Sequence, residues 1–324
     1  MKKFLIYLIL VPAIASVMAG IFFSFAYKQT NRDDLTNFQY ILSSKENHDI
    51  VVFGSSRALR FINPCILDSV TGLDSYNLGA NGIGILETRM MLLKFIQLHS
   101  KPKLILLNVD HNGFYSRGFL YNSIDYYPYL SDTVIANALC PYNKNYGNFF
   151  VRKTNQLLEM FASSDDTRYH FLFNKPQIEI PDTSKYERCK GYGCPLTHWS
   201  PAAENSLKDK RNAAIDDQGF NLLADFIQIC KKNEVNIILV HAPILYLKKE
   251  QIFNYDEILN RIKNIADETQ TPYWEYDTMK ICNSKYYFRN FSHVNLLGAD
   301  IYSKQLAKDV KVYLSQEDSI KAVE

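Results

Sequence analysis

The sequence predicts an α/β fold in which helices cover both faces of a parallel sheet. Two observations predict it: short runs of uninterrupted apolar residues, typical of strands buried on both faces, and segments with helical apolar spacing between those runs. Strands that alternate with helices in this way imply crossover connections and a parallel sheet. The predicted strands lie at 48–54, 75–78, 104–107, 235–240 and 272–274.

Helical segments separate most of the predicted strands, and another ends the domain. They lie at 85–98, 221–231, 255–268 and 297–314. In a parallel sheet with helices on both faces, the ligand site lies beyond the carboxyl ends of the strands. The residues that follow the predicted strands are therefore the candidates for chemistry. These sets are Gly54–Arg57, Gly79–Gly82, Asp110–Gly113 and His241–Pro243.

The first residues predict a membrane anchor. Lys2 and Lys3 precede an uncharged run, Phe4–Tyr27. At about 1.5 Å per residue, a helix of this length crosses a hydrocarbon core of roughly 30 Å. A cleaved signal peptide is the alternative, because Val17-Met18-Ala19 resembles a cleavage site, but the apolar run continues beyond it. We favour an uncleaved single-pass anchor, with the N-terminus in the cytoplasm and the main domain periplasmic or at the cell surface.

The remainder of the chain divides around one large domain. A polar stalk is predicted at 28–47, an α/β domain at 48–316 and a polar tail at 317–324, after the anchor at 1–27. The domain contains an insertion at 114–217, which is far longer than one crossover needs. Long insertions at the ligand edge of a sheet are usually lids or binding walls, and a packing subdomain is the alternative. Both interpretations stay open.

The composition excludes several classes of function. A net charge of +2, without a basic stripe, gives no reason to expect a nucleic-acid partner. No glycine-rich phosphate loop follows the first strand, which argues against nucleotide binding, and we predict neither a cofactor nor a metal. The 22 tyrosines and 20 phenylalanines are abundant for this length, and aromatic faces serve sugar-binding grooves as well as cores.

Two of the six cysteines suggest a local disulfide. Cys189 and Cys194 lie in a polar, glycine-rich segment, where a bridge is sterically easy and fits an exported chain. A zinc site with His198 as the third ligand is the alternative, but no fourth ligand is evident. We therefore predict a Cys189–Cys194 disulfide.

A serine and a histidine are predicted to form one site. Ser56 follows Gly54-Ser55 on a turn from strand to helix, where a hydroxyl is presented near the positive end of the helix dipole. A serine in this position is, taken alone, more often a helix cap. His293 precedes the terminal helix, and histidine is the side chain suited to take a proton from serine near pH 7. The two segments together indicate a Ser–His pair.

These segments resemble the SGNH/GDSL hydrolase superfamily. More narrowly, they resemble its membrane-anchored members associated with cell-envelope acylation, such as the D-alanyl-lipoteichoic acid and alginate O-acetylation proteins. The resemblance covers about 48–113 and 220–312 and implies a three-layer, flavodoxin-like parallel sheet. It also implies that Ser56 is the nucleophile and that His293 is the base.

The same resemblance implies an oxyanion hole. Tyr76–Gly82 is similar to the second conserved block of the family, whose glycine amide binds the oxyanion. Gly82 aligns best with that glycine, and Gly79 competes with it. Asp110–Gly113 is similar to the third block, in which Asn112 takes the place of the donating asparagine.

One departure from the family pattern concerns the acid. The family's acidic residue lies three positions before the histidine, and here that position is Asn290. Asparagine can orient an imidazole but cannot stabilise an imidazolium, and the equivalent change in a serine protease costs about 10⁴ in kcat. Three accounts stay open: Asp277 or another carboxylate replaces the acid, a Ser–His dyad suffices for slow transfer, or the site is inactive.

The resemblance implies an extracytoplasmic serine esterase or O-acyltransferase that acts on acyl esters of cell-envelope glycans. A membrane acyl-donor protein is an expected partner in addition to the glycan and the membrane. The alternative is a catalytically inactive accessory or glycan-binding protein of envelope assembly. The intact Ser56 and His293 favour the enzyme, whereas Asn290 favours the alternative.

Overall fold

The computed structural model describes residues 36–116, 132–140, 186–199 and 212–321, together with single residues near the N-terminus and between 126 and 130. The chain forms two compact units, one of Met1–Thr36 with Asn122–Ile180 and one of Asn37–Tyr121 with Pro181–Glu324. In the described part of the chain, no helix is long and apolar enough to cross a membrane. The predicted anchor at 1–27 lies largely outside the described residues.

The second unit contains a parallel sheet and a separate hairpin. The described strands are β1 (Ile50–Gly54), β2 (Ser75–Asn77), β3 (Leu104–Asn108), β4 (Tyr186–Cys189), β5 (Tyr192–Pro195), β6 (Asn236–His241) and β7 (Tyr273–Glu275). Five of them form one parallel sheet in the order β2-β1-β3-β6-β7. The α/β class and the parallel sheet are therefore confirmed, and the predicted strands differ from the observed ones by one or two residues at their ends.

Helices of the second unit pack on this sheet. The described helices are α1 (Thr36–Ser43), α2 (Ser56–Phe61), α3 (Pro64–Thr71), α4 (Ile85–Leu98), α5 (Thr133–Ala138), α6 (Asp217–Lys232), α7 (Tyr246–Gln251), α8 (Tyr255–Glu268) and α9 (Leu296–Lys321). Helix α5 belongs to the first unit, where the side chain of Asp132 caps it by accepting from the amides of Val134 and Ile135.

Successive side chains of strand β1 point to opposite faces of the sheet and pack against different helices. Ile50 and Val52 of β1 join a buried cluster with Tyr302 of α9. Phe53, on the same strand, packs edge-to-face on Phe95 of α4 and Phe226 of α6, with ring centroids 5.8 and 5.9 Å apart. A strand buried on both faces needs apolar residues at every position, which explains its uninterrupted apolar run.

The antiparallel hairpin β4–β5 corrects the disulfide prediction. Cys189 opposes Tyr192 across the hairpin rather than Cys194, and its sulfur is bonded to Cys65 of α3. Cys194 is a buried thiol, and burial raises its pKa. The Cys189–Cys194 bridge is therefore wrong, and so is the zinc alternative, because Cys189 is not available as a ligand.

The hairpin is hydrogen-bonded to the sheet and disulfide-bonded to α3. The carbonyl of Lys190 accepts a hydrogen bond from the Asn77 amide at the end of β2 (2.9 Å). Gly191 has φ = +82°, and a Cβ there would lie 2.0 Å from the Asn77 carbonyl oxygen. Only glycine permits this approach. This part of the predicted insertion therefore packs on the sheet.

Candidate active site

The first strand ends in a turn that presents Ser56. Gly54 has φ = +141°, and a Cβ on it would lie 2.8 Å from the carbonyl oxygen of Asn108 on β3. The next residue, Ser55, caps α2 because its hydroxyl accepts from the Arg57 amide at 3.2 Å. The cap is thus Ser55, and Ser56 at the first position of α2 is left for another role.

The partner of Ser56 is His293. The Ser56 Oγ lies 2.9 Å from His293 Nε2, across 237 residues of sequence. His293 stands on a turn before α9 that is closed by the amide of Arg289, which donates to the His293 carbonyl at 3.0 Å. The structure therefore brings together the two residues on which the predicted site rests.

Asn290 orients the imidazole. Its Oδ1 accepts from the backbone amides of Ser292 (3.0 Å) and His293 (2.9 Å), and it lies 3.2 Å from His293 Nδ1. Two backbone donors fix which end of the side-chain amide faces the ring, so Nδ1 must donate to this oxygen. Nε2 then carries the lone pair towards the Ser56 hydroxyl, which is the tautomer that a general base needs.

Of the three accounts of the missing acid, the structure does not support the one in which Asp277 replaces it. The Asp277 carboxylate forms an ion pair with Lys249 Nζ at 2.5 Å. Both ring nitrogens of His293 are already engaged, by Ser56 and by Asn290. The lysine holds the carboxylate elsewhere, so the orienting residue is the amide of Asn290.

Burial and positive charge act on the base. Desolvation by burial lowers the pKa of His293 well below its ordinary value, and the guanidinium groups of Arg289, Arg60 and Arg57 lower it further. The imidazole is therefore neutral at pH 7 and able to accept a proton. In the described part of the chain, the charged groups that shift the pKa of His293 are these three guanidiniums, and no carboxylate is among them.

Two glycines were expected as candidates for the oxyanion hole. The Gly79 amide donates to Asn77 Oδ1 at 2.8 Å, so it is committed to the structure of the turn. Gly82 has φ = +71° and lies on the turn between β2 and α4. The role of Gly82 in the oxyanion hole stays a prediction. Asn112 lies in a short 3₁₀ helix, His111–Phe114, after β3. Its backbone amide donates a hydrogen bond to Asp110 Oδ1 at 3.2 Å.

Asp110 is a buried residue whose contacts the sequence did not assign. Its side chain is 3% exposed and accepts from the hydroxyl of Ser55 at 2.7 Å and from Asn108 Nδ2 at 3.3 Å. Together with the hydrogen bond from the backbone amide of Asn112, these contacts connect the turn that carries Ser56 to the loop after β3. The signal in the sequence was a carboxylate two residues after a buried strand.

Arg57 is a second such residue. It is 1% exposed, and its Nη2 donates to the carbonyl oxygens of Ala242 (2.7 Å) and Pro243 (2.8 Å), beyond the end of β6. Its guanidinium lies 5.3 Å from the centroid of the Phe61 ring. Among the described residues no carboxylate forms an ion pair with Arg57, and such a buried cation is rare because desolvation of the charge is costly. Its place next to the serine makes it part of the site's electrostatics.

The arrangement defines a serine–histidine site at the carboxyl edge of a parallel sheet. Serine acts as a nucleophile when a neighbouring base takes its proton, and the base in turn is held by a third group. Here those three groups are Ser56, His293 and Asn290, linked by contacts of 2.9 and 3.2 Å.

Comparisons with known proteins give distant structural similarity. No family model matches the chain, and no curated protein matches it. A GDSL-like lipase from Bacteroides thetaiotaomicron has a TM-score of 0.40 at 11% identity, over 85% of this chain and 98% of the other. An acetyl xylan esterase has a TM-score of 0.39 at 12% identity (82% and 98%). A family two carbohydrate esterase from Clostridium thermocellum, solved with cellohexaose, has a TM-score of 0.37 at 8% identity (84% and 67%).

Proposed function

We propose that the chain is an SGNH/GDSL-type serine esterase or O-acyltransferase that acts on acyl esters of cell-envelope glycans outside the cytoplasm. The observation that carries the proposal is the 2.9 Å contact between Ser56 Oγ and His293 Nε2, with the imidazole held in the required tautomer by Asn290. Acyl transfer is the reaction for which a serine and a neutral histidine in this geometry are suited.

The proposed chemistry has two steps. His293 Nε2 takes the proton of Ser56 while Oγ attacks the ester carbonyl, and the resulting oxyanion is bound by the amides of Ser56 and Gly82 and by the side chain of Asn112. The ester C–O bond then breaks, and His293 returns the proton to the leaving alcohol. In the second step water or a sugar hydroxyl attacks the acyl group on Ser56 while His293 takes its proton. The acyl–Oγ bond then breaks, and His293 returns the proton to Ser56 Oγ.

Two features support the extracytoplasmic location. The apolar run Phe4–Tyr27 follows two lysines, which is typical of a segment that holds the N-terminus in the cytoplasm. The Cys65–Cys189 disulfide is the kind of bond that persists in oxidising compartments and is rare in the cytosol. A membrane acyl-donor protein is part of the proposal only for the transferase version of the reaction.

The test is ester turnover by the detergent-solubilised full chain. Release of acetate from p-nitrophenyl acetate and from an acetylated oligosaccharide is measured with and without an unacetylated oligosaccharide as acceptor. We expect Ser56→Ala and His293→Ala to lower turnover at least about 10³-fold. Ser69→Ala, an exposed serine on α3, is the matched control and leaves it unchanged. Turnover that survives Ser56→Ala would contradict the proposal.

The second candidate function is a non-catalytic glycan-binding or accessory protein. The observation that favours it is Asn290 in the place of the acid, which leaves the imidazolium without a stabilising charge. In that case the folded chain binds envelope oligosaccharides, and neither hydrolysis nor acetyl transfer to the acceptor is detected with wild type.

A further inference from the structure

The hairpin β4–β5 packs on the helix that carries the nucleophile. Tyr192 and Cys194 are two residues apart on β5, so their side chains lie on the same face, and both are buried in one cluster with Phe61 of α2. The carbonyl oxygen of Gly193, which lies between them in the sequence, accepts a hydrogen bond from Arg60 Nη1 at 3.4 Å. Strand β5 is therefore in direct contact with α2.

The residues that follow β5 pack on the turn of the base. Trp199, four residues beyond the strand, meets the Phe291 ring edge-to-face, with centroids 5.6 Å apart and ring planes at 80°. Phe291 is 7% exposed and lies two residues before His293. The Lys285 ammonium lies 5.0 Å from the centroid of the Trp199 ring. The indole therefore contacts the segment that leads to the imidazole at two places.

Two bonds also fix the hairpin to the helix after α2. Cys189 is disulfide-bonded to Cys65 in the first turn of α3, and α3 begins three residues after the end of α2. Lys190, at the tip of the hairpin, forms an ion pair with Asp68 of α3 at 2.5 Å. One end of the hairpin is thus held on the side of the nucleophile. From its other end, Trp199 reaches the side of the base.

The Ser56–His293 contact depends on how these two sides are held. The two residues are 237 positions apart in the sequence, and the reacting atoms of their side chains are 2.9 Å apart. The Phe61 ring of α2 packs edge-to-face on the imidazole, with centroids 6.2 Å apart. A misplacement of about 1 Å at such a contact can lower a rate by about 10²-fold. A side chain that restrains the turn of the base can therefore affect the rate without touching the substrate.

We infer that Trp199 is a positioning residue of this site: through Phe291 it holds the turn of the base against the hairpin, and so keeps the base within reach of the nucleophile. The hairpin belongs to the long insertion after β3, so this part of the insertion supports the Ser–His pair. The inference rests on the proposed function and adds a residue on which that function depends.

Kinetics of the detergent-solubilised full chain test the inference. We expect Trp199→Ala to lower kcat for p-nitrophenyl acetate about tenfold with little change in KM, because the turn of the base loses its aromatic contact. Trp199→Phe keeps an aromatic edge and recovers most of the rate. The matched control is Trp274→Ala, which leaves kcat unchanged. Trp274, the other tryptophan of the chain, packs edge-to-face on Tyr313 at 6.0 Å, and β3 and β6 separate its strand from β1.

A double-mutant comparison tests whether the effect passes through Phe291. Phe291→Leu removes the partner ring, so the addition of Trp199→Ala then lowers kcat by less than about twofold. If the two losses multiplied instead, Trp199 would not act through Phe291 and the inference would be overturned. A rise in KM with unchanged kcat would also overturn it, because Trp199 would then be a substrate contact.

Titration of the imidazole tests the inference without turnover. The charged groups that act on His293 are three guanidiniums, those of Arg57, Arg60 and Arg289. Trp199→Ala leaves them in place but admits water to the imidazole, so we expect NMR to find a higher pKa for His293 than in wild type. An unchanged titration would overturn the inference, whether or not esters are turned over. The proposed function is judged separately, by Ser56-dependent turnover in wild type.

Discussion

Replacing Asn290 by aspartate restores the acid that the site lacks. The change suits the local structure, because the Asn290 Oδ1 accepts from the amides of Ser292 and His293 and from the His293 ring, so every bond to that oxygen comes from a donor. A carboxylate preserves these three bonds and adds a negative charge. The imidazole keeps its orientation and its tautomer, and only the stability of the imidazolium changes.

The size of the effect follows from the distance. A unit charge 3.2 Å from Nδ1 attracts the imidazolium by about 5 kcal/mol at an effective dielectric constant of about 20. Desolvation of the new carboxylate opposes part of this gain. A remainder of about 1.5–3 kcal/mol corresponds to a rise of about 10- to 100-fold in kcat/KM for a neutral ester.

The pH profile gives an independent measure of the same change. Burial and the guanidiniums of Arg289, Arg60 and Arg57 hold the pKa of His293 well below its ordinary value. We therefore expect wild-type activity to be level across neutral pH. A carboxylate favours the charged form and raises this pKa. The acidic limb of kcat/KM therefore moves to higher pH in Asn290→Asp.

The assay is turnover of p-nitrophenyl acetate by wild type, Asn290→Asp and Asn290→Ala from pH 4 to 9. The alanine variant loses the orienting oxygen and must be slower than wild type, which gives the opposite sign at the same position. A folded Asn290→Asp variant with unchanged kcat/KM and an unchanged acidic limb would refute the assignment of Asn290 as the partner of the base.

Three further predictions concern the frame of the site. Cys65→Ser removes the disulfide that links residues 124 positions apart; we expect it to destabilise the fold by roughly 3–5 kcal/mol, measured by urea unfolding. Gly54→Ala places a Cβ 2.8 Å from the Asn108 carbonyl and, by displacing the turn, lowers kcat without comparable loss of secondary structure by circular dichroism. Ser55→Ala removes the hydrogen bond to Asp110. We expect kcat to fall about tenfold with little change in KM, because one bond of about 1.5 kcal/mol is lost from the turn that carries Ser56. A change in KM alone would contradict a positioning role for Ser55.

The sheet and the Ser–His pair were accessible from the sequence. Continuous apolar runs such as Ile50–Phe53 arise from burial on both faces, and they predict a parallel sheet without knowledge of its partners. Because strand ends of such a sheet share one edge, Ser56 could be proposed as a site residue at the end of the first strand. Its pairing with His293, 237 positions away, was predicted because a serine nucleophile needs a base, and the resemblance to a family agreed with it.

Features set by contacts between distant segments were not accessible. The glycine-rich spacing of Cys189 and Cys194 favoured a local bridge, but hairpin pairing sets Cys189 against Tyr192 and packing brings Cys65 to it. The partner of Asp277 was inaccessible for a similar reason: the sequence left the role of this carboxylate open, and the structure pairs it with Lys249. The residues that neighbour Cys189 or Asp277 in the sequence do not show which distant residue each of them binds.

The central claim is that Ser56 is a nucleophile activated by His293, and covalent labelling tests it most directly. The detergent-solubilised chain is treated with a fluorophosphonate, and the adduct is located by peptide mass spectrometry. We predict one phosphonyl group on Ser56, and its loss in Ser56→Ala and in His293→Ala. An adduct on Ser55, or labelling of wild type no greater than that of His293→Ala, would contradict the account.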